Sequence, residues 1–278
     1  MTSKTRFAPS PSGYLHLGHA FSALYAWERA GRDPRNFILR FEDIDVARCS
    51  PEFEASIKED LNWFGIDWNV EPLRQSERQS LYDGALQELA AQQLLYPCFC
   101  TRKDVEREVQ AAVNAPHGPE GWLYPGSCRK LSIDEQQERQ NNGEAFSLRL
   151  KMDKAVREAG DLTWIDRMVG EIPANPSVLG DVILARKDVG TSYHLAVTVD
   201  DAEQGVDLVT RGEDLFHASH LHRLLQALLR LPTPKWEHHP LVLDEDGKRF
   251  AKRNQSVTLR CLREAGTTPE EILEQLGL

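Results

Sequence analysis

Apolar positions recur along this chain with a helical period in some stretches and as short unbroken runs in others. Ala20, Leu24 and Trp27 fall on one face of a helix that opens near residue 16. Residues 36–41 form a continuous apolar run around Arg40, the mark of a buried strand. Phe53, Ile57, Leu61 and Phe64 return to helical spacing over residues 51–64, and a further helix is expected over about residues 76–95. Before the first helix, Arg6, Phe7 and Ala8 end a short strand. Strand, helix, strand, helix is the opening of an α/β domain with a parallel, Rossmann-like nucleotide-binding sheet.

The pattern breaks at Tyr96, Pro97 and Cys98. Clustered cysteines follow, then a Pro/Gly-rich stretch at 115–126, a Gln/Glu-rich helix at 133–140, and strand-like runs at 146–150 and 162–165. This reads as an inserted domain. Sheet-type segments resume at 181–185, 194–199 and 207–210, with a helix at 218–229. Beyond Pro232 and Pro234 a shorter module ends in a helix at 269–276. The expected division is 1–95 and 179–231 for the two halves of the nucleotide-binding domain, 96–178 for the insertion, and 232–278 for the C-terminal module.

Composition narrows the function classes. The chain has 278 residues, with 41% hydrophobic and 27% charged, enough for a sizeable core. A net charge of −10 argues against a general nucleic-acid coat, yet a local basic patch can still neutralise a few phosphates. The first residues run straight into the motif below with no leader, and no apolar run approaches membrane-spanning length. A cytoplasmic location, no membrane partner and a monomer are expected. The five cysteines read as reduced thiols, with metal binding favoured over disulfides.

Residues 6–19 carry the most chemistry. Pro9 to Ser12 is a stiff turn, Gly13 allows backbone approach, and His16 and His19 sit at i and i+3 at a helix start. Free N–H groups there favour an anion. Two imidazoles and a positive helix end thus converge where a triphosphate fits. His16-Leu17-Gly18-His19 resembles the HIGH signature of class I aminoacyl-tRNA synthetases, and the preceding Arg6, Phe7, Ala8, Pro9 and Ser10 resemble the glutamyl-tRNA synthetase version.

Arg40 to Asp45 places three carboxylates just past a strand, where ligands bind in open α/β sheets. Glu42 can accept from a substrate ammonium, and Asp43 and Asp45 can pair with Arg40 and Arg48 as loop structure. Tyr193 precedes a sheet-type segment. Arg211 ends another, where a guanidinium can clamp a carboxylate, with pairing to Glu213 or Asp214 as the alternative. The resemblance to glutamyl-tRNA synthetases implies that Glu42, Tyr193 and Arg211 line the amino-acid pocket with Arg6 and Ser10. Lys248 to Lys252 follows a turn signal and resembles the KMSKS loop that brings lysines to ATP, without its serine. The ATP set so implied is His16, Gly18, His19 and Lys252, with magnesium accompanying the nucleotide.

Cys98, Cys100 and Cys128 can hold zinc, but a closed site wants a fourth ligand, for which Tyr124, His117 and Cys261 are candidates. The layout resembles the zinc site of glutamyl-queuosine tRNA(Asp) synthetases, and that resemblance implies Tyr124. His217, His220, His222, His238 and His239 complete no metal motif and read as structural or solvated. The resemblance extends from Arg6 to Lys252, and the chain of 278 residues ends 26 residues later, too few for a helical anticodon-binding domain. Together with the cysteine layout this points to the glutamyl-queuosine family. It implies ATP-dependent activation of glutamate and its transfer to queuosine in the anticodon of tRNA(Asp).

Overall fold

The computed structural model describes residues 2–111, 117–119, 121–242 and 257–278. The N-terminal part runs β1 (Thr5–Phe7), α1 (Leu17–Arg29), β2 (Phe37–Phe41), α2 (Pro51–Trp63), β3 (Leu73–Arg74) and α3 (Gln79–Ala91). The middle holds β4 (Leu95–Cys98), α4 (Arg102–Ala111), β5 (His117–Gly118), β6 (Gly121–Trp122), α5 (Ile133–Asn141), β7 (Ser147–Leu150), α6 (Met152–Ala159), β8 (Thr163–Asp166) and β9 (Gly170–Pro173). There follow β10 (Ile183–Ala185), α7 (Tyr193–Glu203), β11 (Leu208–Gly212), α8 (Ala218–Leu228), β12 (Lys235–His239), α9 (Leu259–Glu264) and α10 (Pro269–Leu276).

Parallel pairing dominates where the chemistry lies. β1, β2 and β3 form one parallel group, and β11, β12 and β8 another. The carbonyl of Lys4 accepts from the Leu208 N–H at 3.3 Å, which joins the two groups beside β1. Ala20, Ala23, Leu24 and Trp27 of α1 pack with Phe7, Phe37, Leu39 and Phe41, the apolar runs read from the sequence. The small alanines let the helix lie close to the sheet, so its N-terminus stands over the carboxyl ends of β1 and β2. β4, β7 and β10 make a separate antiparallel sheet. The hairpin β8–β9 joins β12, and so extends the sheet of β11. Among the described residues no helix is long and apolar enough to cross a membrane.

Two expectations are corrected. Residues 194–199 are not sheet but part of helix α7, whose N-cap Ser192 accepts from the Leu195 N–H. Every residue from Leu195 to Asp201 is buried, so no polar face exists to reveal a helical period. The helix placed at 76–95 is α3 alone, because Gln93 takes a left-handed φ of 58° and turns the chain into β4. The sequence pattern does not indicate β3, β4, α4, β5, β6, α6, β9, β12 or α9.

Candidate active site

At the nucleotide end, His16 is the N-cap of α1 and His19 its third residue. The His16 Nδ1 accepts from the Gly18 N–H at 3.2 Å, and the His19 Nδ1 accepts from the His16 N–H at 3.2 Å. The two rings lie 3.7 Å apart, centroid to centroid. A capping box built from imidazoles holds both rings at a helix start, where N–H groups and dipole favour negative charge. Gly18 sits tight against this ring: a Cβ there would lie 3.2 Å from His16 Cε1.

The sequence-derived pocket residues converge. Arg6, Phe7, Ala8, Pro9, Ser10, His16, Gly18, His19, Glu42, Tyr193 and Arg211 line one cavity of about 420 Å³. Arg6 and Arg211, each 6% exposed, lie on β1 and β11 and share that cavity. Arg6 donates from Nε to Asp201 (3.1 Å) and from Nη1 to the Thr210 carbonyl (3.0 Å). Arg40 is fully buried and bridges Asp201 (2.8 Å) to Glu42 (3.3 Å). Burial lifts the Glu42 carboxyl above its ordinary range, although Arg40 and Arg6 pull the other way. Asp201 is the reverse case: burial raises it, but Arg6 and Arg40 together hold it low. Burial likewise raises the Tyr193 phenol.

The carboxylates past β2 divide their work. Asp43 accepts from the N–H and hydroxyl of Ser76, and Asp45 pairs with Arg48 at 2.9 Å. Only Glu42 of the three turns to the shared cavity. Arg211 does not pair with Glu213 or Asp214. It donates to His238 Nε2 (3.2 Å), His222 Nδ1 (3.2 Å) and the Ser219 hydroxyl (2.6 Å), with the Tyr193 hydroxyl at 3.5 Å. Behind these, His222 Nε2 lies 3.2 Å from His194 Nδ1, and His238 Nδ1 lies 2.6 Å from Asp166. Burial, then the nearby Arg211, holds His194 and His238 down at about 4. Two of the histidines read as structural or solvated, His222 and His238, thus contact the arginine that lines the first cavity. Their signals were present but mute: Ser219 and His222 are at i, i+3 on α8, and His238 faces Arg211 only through the β11–β12 register. Asp201, hidden in the misassigned helix, was also missed.

A second cavity of about 510 Å³ opens from the first across Ser10, Glu42 and Tyr193 and reaches Arg48, Trp122 and Tyr124. Beyond it the Sγ atoms of Cys98, Cys100 and Cys128 lie within 4.8 Å of one another. The Tyr124 hydroxyl is 3.5 Å from Cys98 Sγ and from Cys100 Sγ, and Cys100 is 3.4 Å from Cys128. Such spacings suit the corners of a tetrahedron around a zinc with bonds of about 2.0–2.3 Å. Burial pushes the Cys100 thiol up to about 12. Cys261 is exposed on α9 and is not in the cluster.

Lys252 and its loop, Lys248 to Arg253, fall outside the described residues. The flanks are described: Leu241 and Val242 line the first cavity, and the Leu259 N–H donates to the Leu15 carbonyl at 2.8 Å beside His16.

Comparison with known proteins places the geometry in a family. The family described as tRNA synthetases class I (E and Q), catalytic domain, matches residues 2–278. A glutamyl-Q tRNA(Asp) synthetase from Rhodobacter capsulatus is 46% identical over 99% of both chains. A glutamate–tRNA ligase from Coprothermobacter proteolyticus is 38% identical over 99% of this chain but 58% of its own length. The crystal structure of a glutamate–tRNA synthetase from Elizabethkingia anophelis superposes with a TM-score of 0.75 at 29% identity, and this chain spans 53% of it. The α/β fold with its parallel sheet is that of a class I synthetase catalytic domain. On its sequence this chain belongs to the class I tRNA synthetases of the E and Q branch and, within them, to the glutamyl-Q tRNA(Asp) synthetases.

Proposed function

We propose that the protein activates L-glutamate with ATP and transfers it to the queuosine base in the anticodon of tRNA(Asp). One observation carries the reading. Two buried arginines and a glutamate whose side chain is 12% exposed share a cavity with paired imidazoles at a helix N-terminus. A dicarboxylic amino acid needs the first group, and a nucleotide the second.

In the first step an oxygen of the substrate's α-carboxylate attacks the α-phosphorus of ATP. The bond to the β-phosphate oxygen breaks, and glutamyl-adenylate and pyrophosphate form. Arg6, Arg211, Ser10 and Tyr193 orient the amino acid, and Glu42 accepts from its ammonium. His16, His19 and the positive end of the α1 dipole stabilise charge at the phosphates. Lys252 assists from its loop, and both described flanks of that loop lie at the His16 end. Magnesium arrives with the nucleotide as part of the substrate. In the second step a queuosine hydroxyl attacks the adenylate carbonyl, AMP leaves, and the hydroxyl proton passes to solvent. The chemistry is positioning and electrostatics, with no covalent enzyme intermediate.

The second cavity is the approach for the tRNA, because it opens onto the glutamate pocket away from His16. Cys98, Cys100, Cys128 and Tyr124 would hold one zinc, which would fix the fold of the insertion. Segment 96–178 serves as that insertion between halves 1–95 and 179–231, and 232–278 as the module carrying the Lys248–Lys252 loop.

The test is nucleoside mass spectrometry of tRNA(Asp) after incubation with ATP and glutamate. Queuosine gains one glutamyl group if the reading holds. Glutamate esterified at the 3′ end of tRNA(Glu) instead, with queuosine unchanged, would overturn it.

A further inference from the structure

Arg211 is a buried cation. No ion pair involves it among the described residues, whereas Arg6 shares Asp201 with Arg40. Its acceptors are instead two imidazole nitrogens and a hydroxyl. A guanidinium has only donors, so each imidazole nitrogen facing it must present a lone pair. For His238 this fixes the tautomer. Nε2 accepts from Arg211, so the proton sits on Nδ1 and points to Asp166 Oδ2 at 2.6 Å. A doubly protonated His238 would set an N–H against the Arg211 Nε–H at 3.2 Å, so the ring is neutral. The same logic makes His222 donate from Nε2 to His194.

We propose that Asp166 and His238 are positioning residues for glutamate: Asp166 locks the tautomer of His238, and His238 holds Arg211 by Nε–H without neutralising it. The arrangement leaves one N–H on each of Nη1 and Nη2 for a substrate carboxylate, once the long Tyr193 contact gives way. It also leaves the guanidinium's full charge for the substrate. A protein carboxylate in place of His238 would hold Arg211 just as firmly but would cancel that charge. Asp166 itself is anchored, since its Oδ1 accepts from the Met168 and Val169 N–H groups at the turn between β8 and β9. A hairpin grafted onto the edge of the sheet thus reaches the substrate pocket through one ring.

This inference rests on Arg211 binding glutamate, as proposed above. Asp166→Asn tests it. The amide oxygen can keep the turn contacts while its NH2 donates to His238 Nδ1, at the cost of the His238 backbone N–H, from which Asp166 Oδ2 accepts at 3.3 Å. That forces the proton onto Nε2 and turns it against Arg211, as happens when the aspartate behind a serine-protease histidine is changed in the same way. In glutamate-dependent ATP–pyrophosphate exchange, measured below the variant's melting temperature, the KM for glutamate should rise about tenfold to a hundredfold, with the KM for ATP unchanged. His238→Gln keeps an acceptor oxygen near Nε2 but has no tautomer. In that background Asp166→Asn should add little. An unchanged KM for glutamate in Asp166→Asn, or an equal penalty in both backgrounds, overturns the proposal. Arg211→Ala separates the two readings. If it leaves the KM for glutamate unchanged, the pocket assignment itself fails, whatever Asp166 does.

Discussion

Glu42 shows how one residue can be tuned against its surroundings. It is a carboxylate buried beside two arginines, and burial outweighs them, so its proton is held more tightly than usual. Below that raised pKa the side chain is neutral and offers a substrate ammonium no counter-charge. Above it the side chain is charged. The KM for glutamate should therefore fall as pH rises through the Glu42 transition and level off above it. Glu42→Gln should raise the plateau KM at least about tenfold, the worth of a hydrogen bond to a charged group, and abolish the slope. A pH profile of KM in the exchange reaction decides the matter, and a parallel slope in the Gln variant would remove Glu42 from the ammonium site. For the imidazoles the expectation concerns rate. His19→Ala should lower exchange by about 10²–10³, by analogy with the loss of one preorganised donor to a developing anion. An unchanged rate would take His19 out of the phosphate site.

Elements set where these residues can be. The start of α1 and the ends of β1 and β11 were legible in the sequence because local patterns reported them: a turn of prolines, a histidine pair at i, i+3, and apolar runs. Helix α7 was not legible, because a helix enclosed on every side carries no amphipathic period, and with it Asp201, the carboxylate shared by Arg6 and Arg40, stayed hidden. The layer behind Arg211 was illegible for a different reason. His238 and Ser219 meet it only through strand pairing and helix docking, and no sequence spacing encodes either. The C-terminal helices show the same non-local logic. Asp60 on α2 is fully buried, with Arg263 of α9 at 3.3 Å, and burial pushes its carboxyl up to about 6. The folded state thus prefers the protonated form. Stability should fall as pH rises from about 4, where an unfolded aspartate titrates, to about 6, and stay lower above that by about 3 kcal/mol. Asp60→Asn should remove this dependence and raise the melting temperature at pH 7, since Arg263 keeps Glu59 at 2.9 Å. Thermal melts of both proteins across pH 4–8 would show it, and a lower melting temperature for the Asn variant at pH 7 would mean that the Arg263 contact outweighs burial.

Two cavities in series meet at Ser10, Glu42 and Tyr193, one with the histidine pair and one reaching Tyr124, which the cysteine cluster contacts. Tyr124 belongs both to the second cavity and to the cluster, while Cys98, Cys100 and Cys128 line neither. Zinc, if held there, acts on the first cavity only through the shape of the second. Its loss should therefore separate the two chemical steps. Elemental analysis should find one zinc per chain, and Cys128→Ser should lose it, leaving two thiolates and a phenol for a cation that wants four ligands. Tyr124→Phe keeps three thiolates and should weaken the metal without abolishing it. Below the melting temperature of Cys128→Ser, glutamate-dependent exchange should persist, because Arg6, Glu42, Arg211 and the histidines stand on β1, β11, α1 and the end of β2, not on the segments that carry the cysteines. Glutamyl transfer to queuosine tRNA(Asp) should fall far more, because the wall of the second cavity is no longer fixed. If exchange and transfer fall in equal proportion in a folded Cys128→Ser protein, the cavities do not divide the reaction between them, and the cysteine cluster supports the glutamate pocket directly.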